Sequence, residues 1–130
     1  AKMNRLTPNL IRGTLGELLV QTRLLQYDVQ AAPPLKDSGN DLIAIRGSVF
    51  RAIQVKSTVD QYYAVPDEDT KYHVLAAVRL VGEGRDVLLD SCKVYLVPKA
   101  ELGNGPRTFA AIAKWKLSGG LIDELFPVDG

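Results

Sequence analysis

The stretch Asp41-Leu42-Ile43-Ala44-Ile45-Arg46-Gly47-Ser48-Val49-Phe50-Arg51-Ala52-Ile53-Gln54-Val55-Lys56 decides the fold of this chain. Two runs rich in apolar and β-branched residues flank Gly47-Ser48, a dipeptide typical of a two-residue hairpin turn. The sequence therefore predicts two antiparallel strands, over residues 41–46 and 49–56, joined by that turn.

The hairpin register predicts which side chains lie opposite each other. With Gly47 and Ser48 in the loop, Asp41 is expected opposite Gln54, and period two places Lys56 on the same face. The rest of that face is expected to be an apolar layer of Ile43, Ile45, Phe50 and Ala52. Opposed β-carbons lie about 4.5–5.5 Å apart, so oxygens of Asp41 and Gln54 can share one hard cation. An ion pair between Asp41 and Lys56 would explain the same pattern without a metal.

A helix is predicted upstream of the hairpin, over about residues 8–27. Thr7-Pro8 supplies an N-cap and a proline at the first helical position. Glu17 falls on a mostly apolar side of this helix. Apolar residues recur with helical spacing at Ile11, Leu15, Leu18 and Leu25. The sector expected to face solvent holds Arg12, Gly16 and Arg23.

Weaker patterns complete the expected secondary structure. A strand over 28–32 precedes the hairpin, and a helical turn near residues 66–69 precedes strands over 72–81 and 86–97. An amphipathic helix is predicted over 106–116, Gly119-Gly120 is expected to end it, and 121–126 is expected to form a short last turn. Together these elements indicate an α/β domain over residues 1–130, with a central mixed sheet and flanking helices.

Length and composition limit the class of protein. The chain has 130 residues, of which 46% are hydrophobic and 24% are charged, and this fits one globular domain. No apolar run approaches the roughly 18 residues of a membrane span, and no secretory signal is visible. Because the single cysteine, Cys92, cannot form an internal disulfide, a reduced cytoplasmic protein is expected.

The charge is unevenly divided along the chain. Residues 1–56 carry eight Lys and Arg against four Asp and Glu, whereas residues 57–90 carry three against seven. A basic first part is compatible with a nucleic-acid face, and chance partition of surface charge gives the same pattern.

The order of polar residues resembles the PD-(D/E)xK nuclease superfamily. Glu17 lies on the first helix, Asp41 at the start of a strand, and Gln54-Val55-Lys56 on the hairpin partner. The resemblance covers about residues 13–58. It is nearest to compact members such as Holliday-junction resolvases and homing and restriction endonucleases. It implies a restriction-endonuclease-like α-β-β-β-α-β core.

Two positions depart from the pattern of that superfamily. Asn40 stands in place of the proline, and Gln54 stands where most members carry Asp or Glu. An amide oxygen can ligate Mg²⁺ but adds no charge, so the ion would be held more weakly than by two carboxylates.

The resemblance implies a metal-dependent DNA endonuclease, with branched or structured DNA among its expected substrates. Asp41, Gln54 and the Val55 carbonyl would hold Mg²⁺, with Mn²⁺ as a substitute, and Glu17 would be a direct or water-mediated ligand. Lys56 would orient the attacking water or stabilise the charge of the transition state. DNA is the expected partner. A homodimer is expected by analogy, and specificity would come from loops, the dimer or a separate partner.

Further polar residues lie on either side of these positions. The candidate DNA contacts are Lys36, Ser38, Asn40, Ser57 and Thr58. Solvation of the loop and termination of the strand explain the same residues equally well. His73 has no second histidine or cysteine cluster beside it and is expected to be structural. Trp115 is expected to anchor the core.

Two other functions stay open at this point. A catalytically inactive nuclease-fold protein that binds nucleic acid would explain Gln54. A protein-interaction domain would use Asp41 and Lys56 only as surface charges.

Overall fold

The computed structural model describes residues 5–36 and 41–128. Its helices and strands, in chain order, are α1 (Pro8–Leu25), β1 (Gln30–Ala32), β2 (Leu42–Arg46), β3 (Val49–Thr58), β4 (Val74–Arg79), β5 (Lys93–Pro98) and α2 (Gly119–Leu125). The five strands form one sheet in the order β1-β2-β3-β4-β5, in which only the β3–β4 pair is parallel. The expected α/β class with a mixed sheet is confirmed. In the described part of the chain, neither helix combines the length and apolarity that crossing a membrane requires.

The β2–β3 hairpin forms in the predicted register. Arg46 pairs with Val49 across the turn, and Gly47 has a φ of +58°, which suits a residue without a β-carbon. The last pair of the ladder is Leu42 with Ile53, so the pairing stops one step short of the predicted partners Asp41 and Gln54.

The core of the hairpin lies on the opposite face from the one expected. The side chains that α1 and α2 cover belong to Leu42, Ala44, Ile53 and Val55. On the other face Phe50 keeps 58% of its surface exposed, and Ile43, Ile45 and Ala52 are half-buried. The prediction of an apolar layer there was wrong because both alternating sets of residues are apolar, and only the packing of the helices distinguishes them. We call the side covered by α1 and α2 the first face of the sheet.

Helix α1 packs on the first face through a glycine. Thr7 Oγ1 accepts from the Leu10 N–H at 3.2 Å, as the predicted N-cap requires. The buried residues of the helix are Gly16, Val20 and Leu24. Gly16 was predicted to face solvent, and it lies against β3 instead, because a residue without a side chain lets the helix approach the strand closely. Leu18 and Leu25, two of the apolar residues that recur with helical spacing, keep 53% and 66% of their surfaces exposed.

The second face of the sheet is covered by irregular chain. Residues 59–73 connect the parallel strands β3 and β4, where a helix is usual. The helical turn expected at 66–69 is reduced to a turn closed by the Thr70 N–H on the Asp67 carbonyl at 2.9 Å. The core of this face contains Tyr63, Tyr72, Leu75, Ala77, Tyr95, Val97, Phe109 and Ile112.

The C-terminal elements differ from their predictions. Residues 86–91, predicted to begin a strand, contain 3₁₀ turns, and β5 starts at Lys93. The expected helix over 106–116 is a 3₁₀ segment interrupted at Ile112, where φ is −112° and ψ is 21°. Gly119-Gly120 begins α2 rather than ending a helix, because Ser118 Oγ caps it by accepting from the Leu121 N–H at 3.1 Å.

Two arginines of the hairpin hold the end of α2. Arg51 Nε donates to the Leu125 carbonyl and Arg46 Nη1 donates to the Phe126 carbonyl, each at 3.0 Å. These bonds satisfy carbonyls that the helix leaves unpaired at its end. They place the fully buried Phe126 in the first core.

Candidate active site

The candidate site lies along the part of β3 beyond Ile53, where the register of β3 with β2 has ended in the described chain. Beyond Ile53, β3 continues to Thr58 with β4 on one side, while the register with β2 stops at Leu42. Groups from both faces of the sheet and from the start of β2 can therefore meet beside this part of β3.

Asp41 contacts the backbone of β3 directly. Its N–H donates to the Ile53 carbonyl at 3.0 Å, and its Oδ2 accepts from the Val55 N–H at 2.8 Å. The carboxylate thus takes the place that a backbone carbonyl of a longer β2 would fill. Because the N–H and the carbonyl of one strand residue point to the same side, the Val55 carbonyl faces this edge too.

Glu17 reaches the same neighbourhood from α1. Burial raises the pKa of the Glu17 carboxyl, and the negative charge of Asp41 raises it further. Glu17 follows Gly16, whose β-carbon, if present, would lie 1.7 Å from Ser57 Oγ. The close approach of α1 to β3 at Gly16 therefore determines how near Glu17 lies to β3.

Gln54 and Lys56 project from the opposite side of β3. They are in register with Leu75 and Ala77, which belong to the second core, so their side chains lie on the second face. Gln54 Oε1 is buried and has no hydrogen-bond partner within residues 5–36 and 41–128. A buried amide oxygen without a partner is uncommon and indicates a site for a ligand or water.

The alternative of an Asp41–Lys56 ion pair is not formed. Among the described residues, salt bridges join Arg12 to Glu83 at 3.8 Å and Arg46 to Asp123 at 2.9 Å. Lys56, half-buried, has no acidic partner in that set.

By chemical type, the oxygen atoms near this part of β3 are ones that a hard divalent cation binds. Two carboxylates, an amide oxygen without a partner and a backbone carbonyl are the ligand types that Mg²⁺ prefers. The part of the chain that the structure describes has no cluster of three or more His, Cys, Asp and Glu side chains suited to a metal. A metal site here therefore depends on the neutral donors Gln54 and Val55.

The predicted DNA contacts are placed unevenly. Ser38 and Asn40 lie outside the described residues, and Lys36 is exposed just before them. Ser57 Oγ is buried against Gly16, with no hydrogen-bond partner in the described ranges. Thr58 Oγ1 accepts from the Asp60 N–H at 3.1 Å, which is a strand-ending contact.

His73 and Trp115 have the structural roles expected of them. His73 Nδ1 accepts from the Ala52 N–H at 2.8 Å, just before β4. Trp115 packs against both cores, with Lys114 Nζ 4.7 Å from the centre of its ring. The sequence patterns did not identify Gly16 as a packing residue. A glycine inside a helix is less favourable than alanine by about 1 kcal/mol, and this cost was the signal that a close contact could require it.

The mixed sheet, with β3 and β4 parallel and α1 across its first face, is consistent with the expected restriction-endonuclease-like α/β core. Among solved structures, the chain is similar to the bacterial homing endonuclease I-Ssp6803I. The TM-score is 0.53 and the sequence identity is 19%, over 77% of this chain and 72% of that chain. At that identity the likeness is one of fold. Comparisons with known protein families and with curated proteins find no match.

Proposed function

We propose that this chain is a metal-dependent DNA endonuclease that hydrolyses phosphodiester bonds. The observation that carries the proposal is the contact of Asp41 with β3, whose Val55 N–H donates to Asp41 Oδ2 at 2.8 Å, together with the nearby carboxyl of Glu17, whose pKa the charge of Asp41 raises. The likeness to a homing endonuclease supports DNA as the substrate class. Branched DNA belongs among the substrates to be tested.

In this proposal Asp41, Gln54 Oε1 and the Val55 carbonyl hold Mg²⁺ or Mn²⁺, with Glu17 bound directly or through water. When bound there, such an ion would polarise the phosphodiester of the substrate and lower the pKa of a water molecule. The Val55 N–H fixes the orientation of the Asp41 carboxylate through its 2.8 Å hydrogen bond. Gln54 contributes an oxygen that has no competing partner among the described residues.

Lys56 provides the positive charge of the proposed site. It lies two residues beyond Gln54 on the same face and has no acidic partner in the described chain. Its ammonium group is therefore free to orient the attacking water or to stabilise charge on the phosphate in the transition state.

Cleavage of supercoiled, linear and branched DNA, with and without Mg²⁺, tests the proposal. We expect Mg²⁺-dependent cutting, reduced about 10²- to 10³-fold in Lys56→Ala. Lys71→Ala is the matched control, because Lys71 is exposed and lies before β4. Absence of cutting on every substrate, or equal activity of Lys56→Ala and wild type, would overturn the proposal.

A second function is favoured by the neutral side chain of Gln54. A nuclease-fold protein that binds nucleic acid without cutting it would retain DNA binding and lose Asp41-dependent metal binding. Calorimetry with Mg²⁺ or Mn²⁺ on wild type and Asp41→Ala separates the two functions. Cleavage gained only in Gln54→Glu would identify the site as a degraded one.

A further inference from the structure

Two positively charged residues oppose each other across the strands β4 and β5. Arg79, the last residue of β4, is in register with Lys93, the first residue of β5. On its other side Arg79 is in register with Thr58, the last residue of β3. These three residues form one row across the end of the sheet, which we call the end row.

The end row lies on the second face of the sheet. Tyr95, two residues after Lys93, belongs to the second core, and side chains two residues apart on a strand share a face. The guanidinium carbon of Arg79 lies 5.8 Å from the centre of the Phe109 ring, which belongs to the same core. Lys56, which provides the positive charge of the proposed site, lies on that face about 7 Å before the row. The end row is therefore adjacent to the proposed site.

The two cations of the end row lack acidic partners. Like charges that oppose each other across two strands lower stability. Arg79 and Lys93 are both exposed, and within residues 5–36 and 41–128 neither forms an ion pair. Asp60 is the acidic residue nearest to the row in sequence; its N–H donates to Thr58 Oγ1 at 3.1 Å, and its carboxylate is in no ion pair of the described chain. An anion from outside the chain would neutralise the repulsion between the two cations.

The spacing of these cations suits an anion with many charges in sequence. A strand of DNA carries one negative charge about every 3.4 Å along its axis. Lys56, Arg79 and Lys93 lie on three adjacent strands, which are about 4.8 Å apart. A DNA backbone that meets Lys56 can therefore continue across β4 and β5 with further phosphates beside the end row. Thr58 Oγ1 accepts one hydrogen bond and keeps its own hydrogen for a phosphate oxygen.

We propose that Arg79 and Lys93 bind the backbone of the substrate DNA, beside the phosphodiester that the proposed site would cleave. The inference rests on the proposed function for the identity of the ligand, but it concerns binding and not cleavage. Contacts with phosphates carry no sequence information, so the end row positions DNA without selecting a sequence.

The salt dependence of DNA binding tests the end row. Fluorescence anisotropy of labelled duplex DNA is measured without divalent metal over a series of salt concentrations. Arg79→Ala and Lys93→Ala are each expected to reduce the slope of log K against log salt by about one. Near 0.1 M salt, the loss of one phosphate contact corresponds to about five- to tenfold weaker binding. Two duplexes of unrelated sequence should show the same loss.

Arg85→Ala is the matched control for these substitutions. Arg85 is exposed, and the ion pair of Arg12 with Glu83 holds its turn beside α1, which covers the first face. This variant is expected to keep the affinity and the salt slope of wild type, because its charge lies away from the end row.

Charge reversal separates binding from folding. Arg79→Glu places a carboxylate opposite Lys93, and opposite charges across two strands are favourable. The variant is therefore expected to unfold at the same urea concentration as wild type or at a higher one, while its DNA affinity falls more than tenfold. Circular dichroism checks the fold of each variant.

Cleavage assays of the same variants distinguish this proposal from the proposed function. Binding that depends on the end row, in a protein that cuts no DNA, would support the end row and contradict the endonuclease. Cutting by a protein whose affinity and salt slope are the same in wild type and both alanine variants would support the endonuclease and overturn the end row. A wild type that binds no duplex DNA at any salt concentration would overturn both.

Discussion

At the scale of single residues, the candidate site combines groups that are unfavourable where they lie. Glu17 is partly desolvated beside the negative charge of Asp41, and Gln54 Oε1 is buried without a hydrogen bond from the described residues. Each of these costs stability when the group has no partner, and in the proposed function a bound cation would be that partner. Sites that are costly to the fold and complementary to a ligand are typical of functional residues.

The ionisation of Glu17 should make stability depend on pH. Because its pKa is raised in the folded state, the native chain holds this proton at pH values where the unfolded chain has lost it. Stability from this group is therefore present at low pH and lost as pH rises through the folded pKa. Glu17→Gln should be more stable than wild type at neutral pH, and the difference should shrink as pH falls.

Urea unfolding of both proteins across a pH series measures that difference. Glu101→Gln, at an exposed position, should show no such trend. A difference that grows as pH falls would contradict the assignment. The same Glu17→Gln variant should bind Mg²⁺ about 10- to 100-fold more weakly, as measured by calorimetry.

His73 should stabilise the start of β4 through its ring nitrogen. Nδ1 accepts from the Ala52 N–H at 2.8 Å, while the His73 N–H donates to the Ala52 carbonyl at the same distance. His73→Ala is expected to lower the free energy of unfolding by about 1 kcal/mol, since one side-chain acceptor is lost. Chemical denaturation measures the loss. If His73→Asn, which keeps a side-chain acceptor, were as destabilised as His73→Ala, the bond would not be the cause.

At the scale of elements, the contact between α1 and β3 positions the site. Gly16 is the point of closest approach: a β-carbon there would lie 1.7 Å from Ser57 Oγ and 2.9 Å from Ser57 Cβ. Glu17 is the next residue, so any displacement of the helix also moves a carboxylate of the site.

Gly16→Ala should therefore separate α1 from β3. We expect a loss of about 1–3 kcal/mol in the free energy of unfolding from overpacking, together with weaker Mg²⁺ binding. Gly13→Ala is the matched control, because nothing lies within 4 Å of its β-carbon position. That variant should gain about 0.5–1 kcal/mol from helix propensity. Equal effects of the two substitutions in a melting experiment would contradict this account, and Gly16→Ala combined with Ser57→Gly should recover stability.

At the scale of the whole molecule, one sheet separates two cores. The first lies under α1 and α2 and contains Phe126, and the second lies under irregular chain and the 3₁₀ segment around Phe109. The C-terminal segment closes the first core, since Arg46 and Arg51 hold its carbonyls and Phe126 is fully buried.

Removal of the Phe126 ring should weaken the entire fold. Phe126→Ala is expected to lower the free energy of unfolding by about 3–5 kcal/mol, because it leaves a cavity in the first core. Val128→Ala, two residues later and 46% exposed, should change it by about 0.5 kcal/mol or less. Urea denaturation compares them. A Phe126→Ala protein as stable as wild type would show that α2 contributes little to the core.

Local chemistry made part of this structure predictable. The hairpin turn at Gly47-Ser48, its register and the Thr7 cap follow from short-range preferences, so the sequence determined them by itself. The proximity of Asp41 to β3 also followed, since register limits where a strand end can lie.

Other features depended on contacts between residues distant in the chain. Both faces of the hairpin are apolar, so the position of α1 decided which one became core. Gly16 looked like a solvent position by periodicity, and its contact with Ser57 exists only when helix and strand are packed. The Ser118 cap turned Gly119-Gly120 into a helix start. The sequence thus determined the strands and their pairing through local geometry. Long-range packing, which no local pattern encodes, decided which face of the hairpin is buried and brought Glu17 near Asp41.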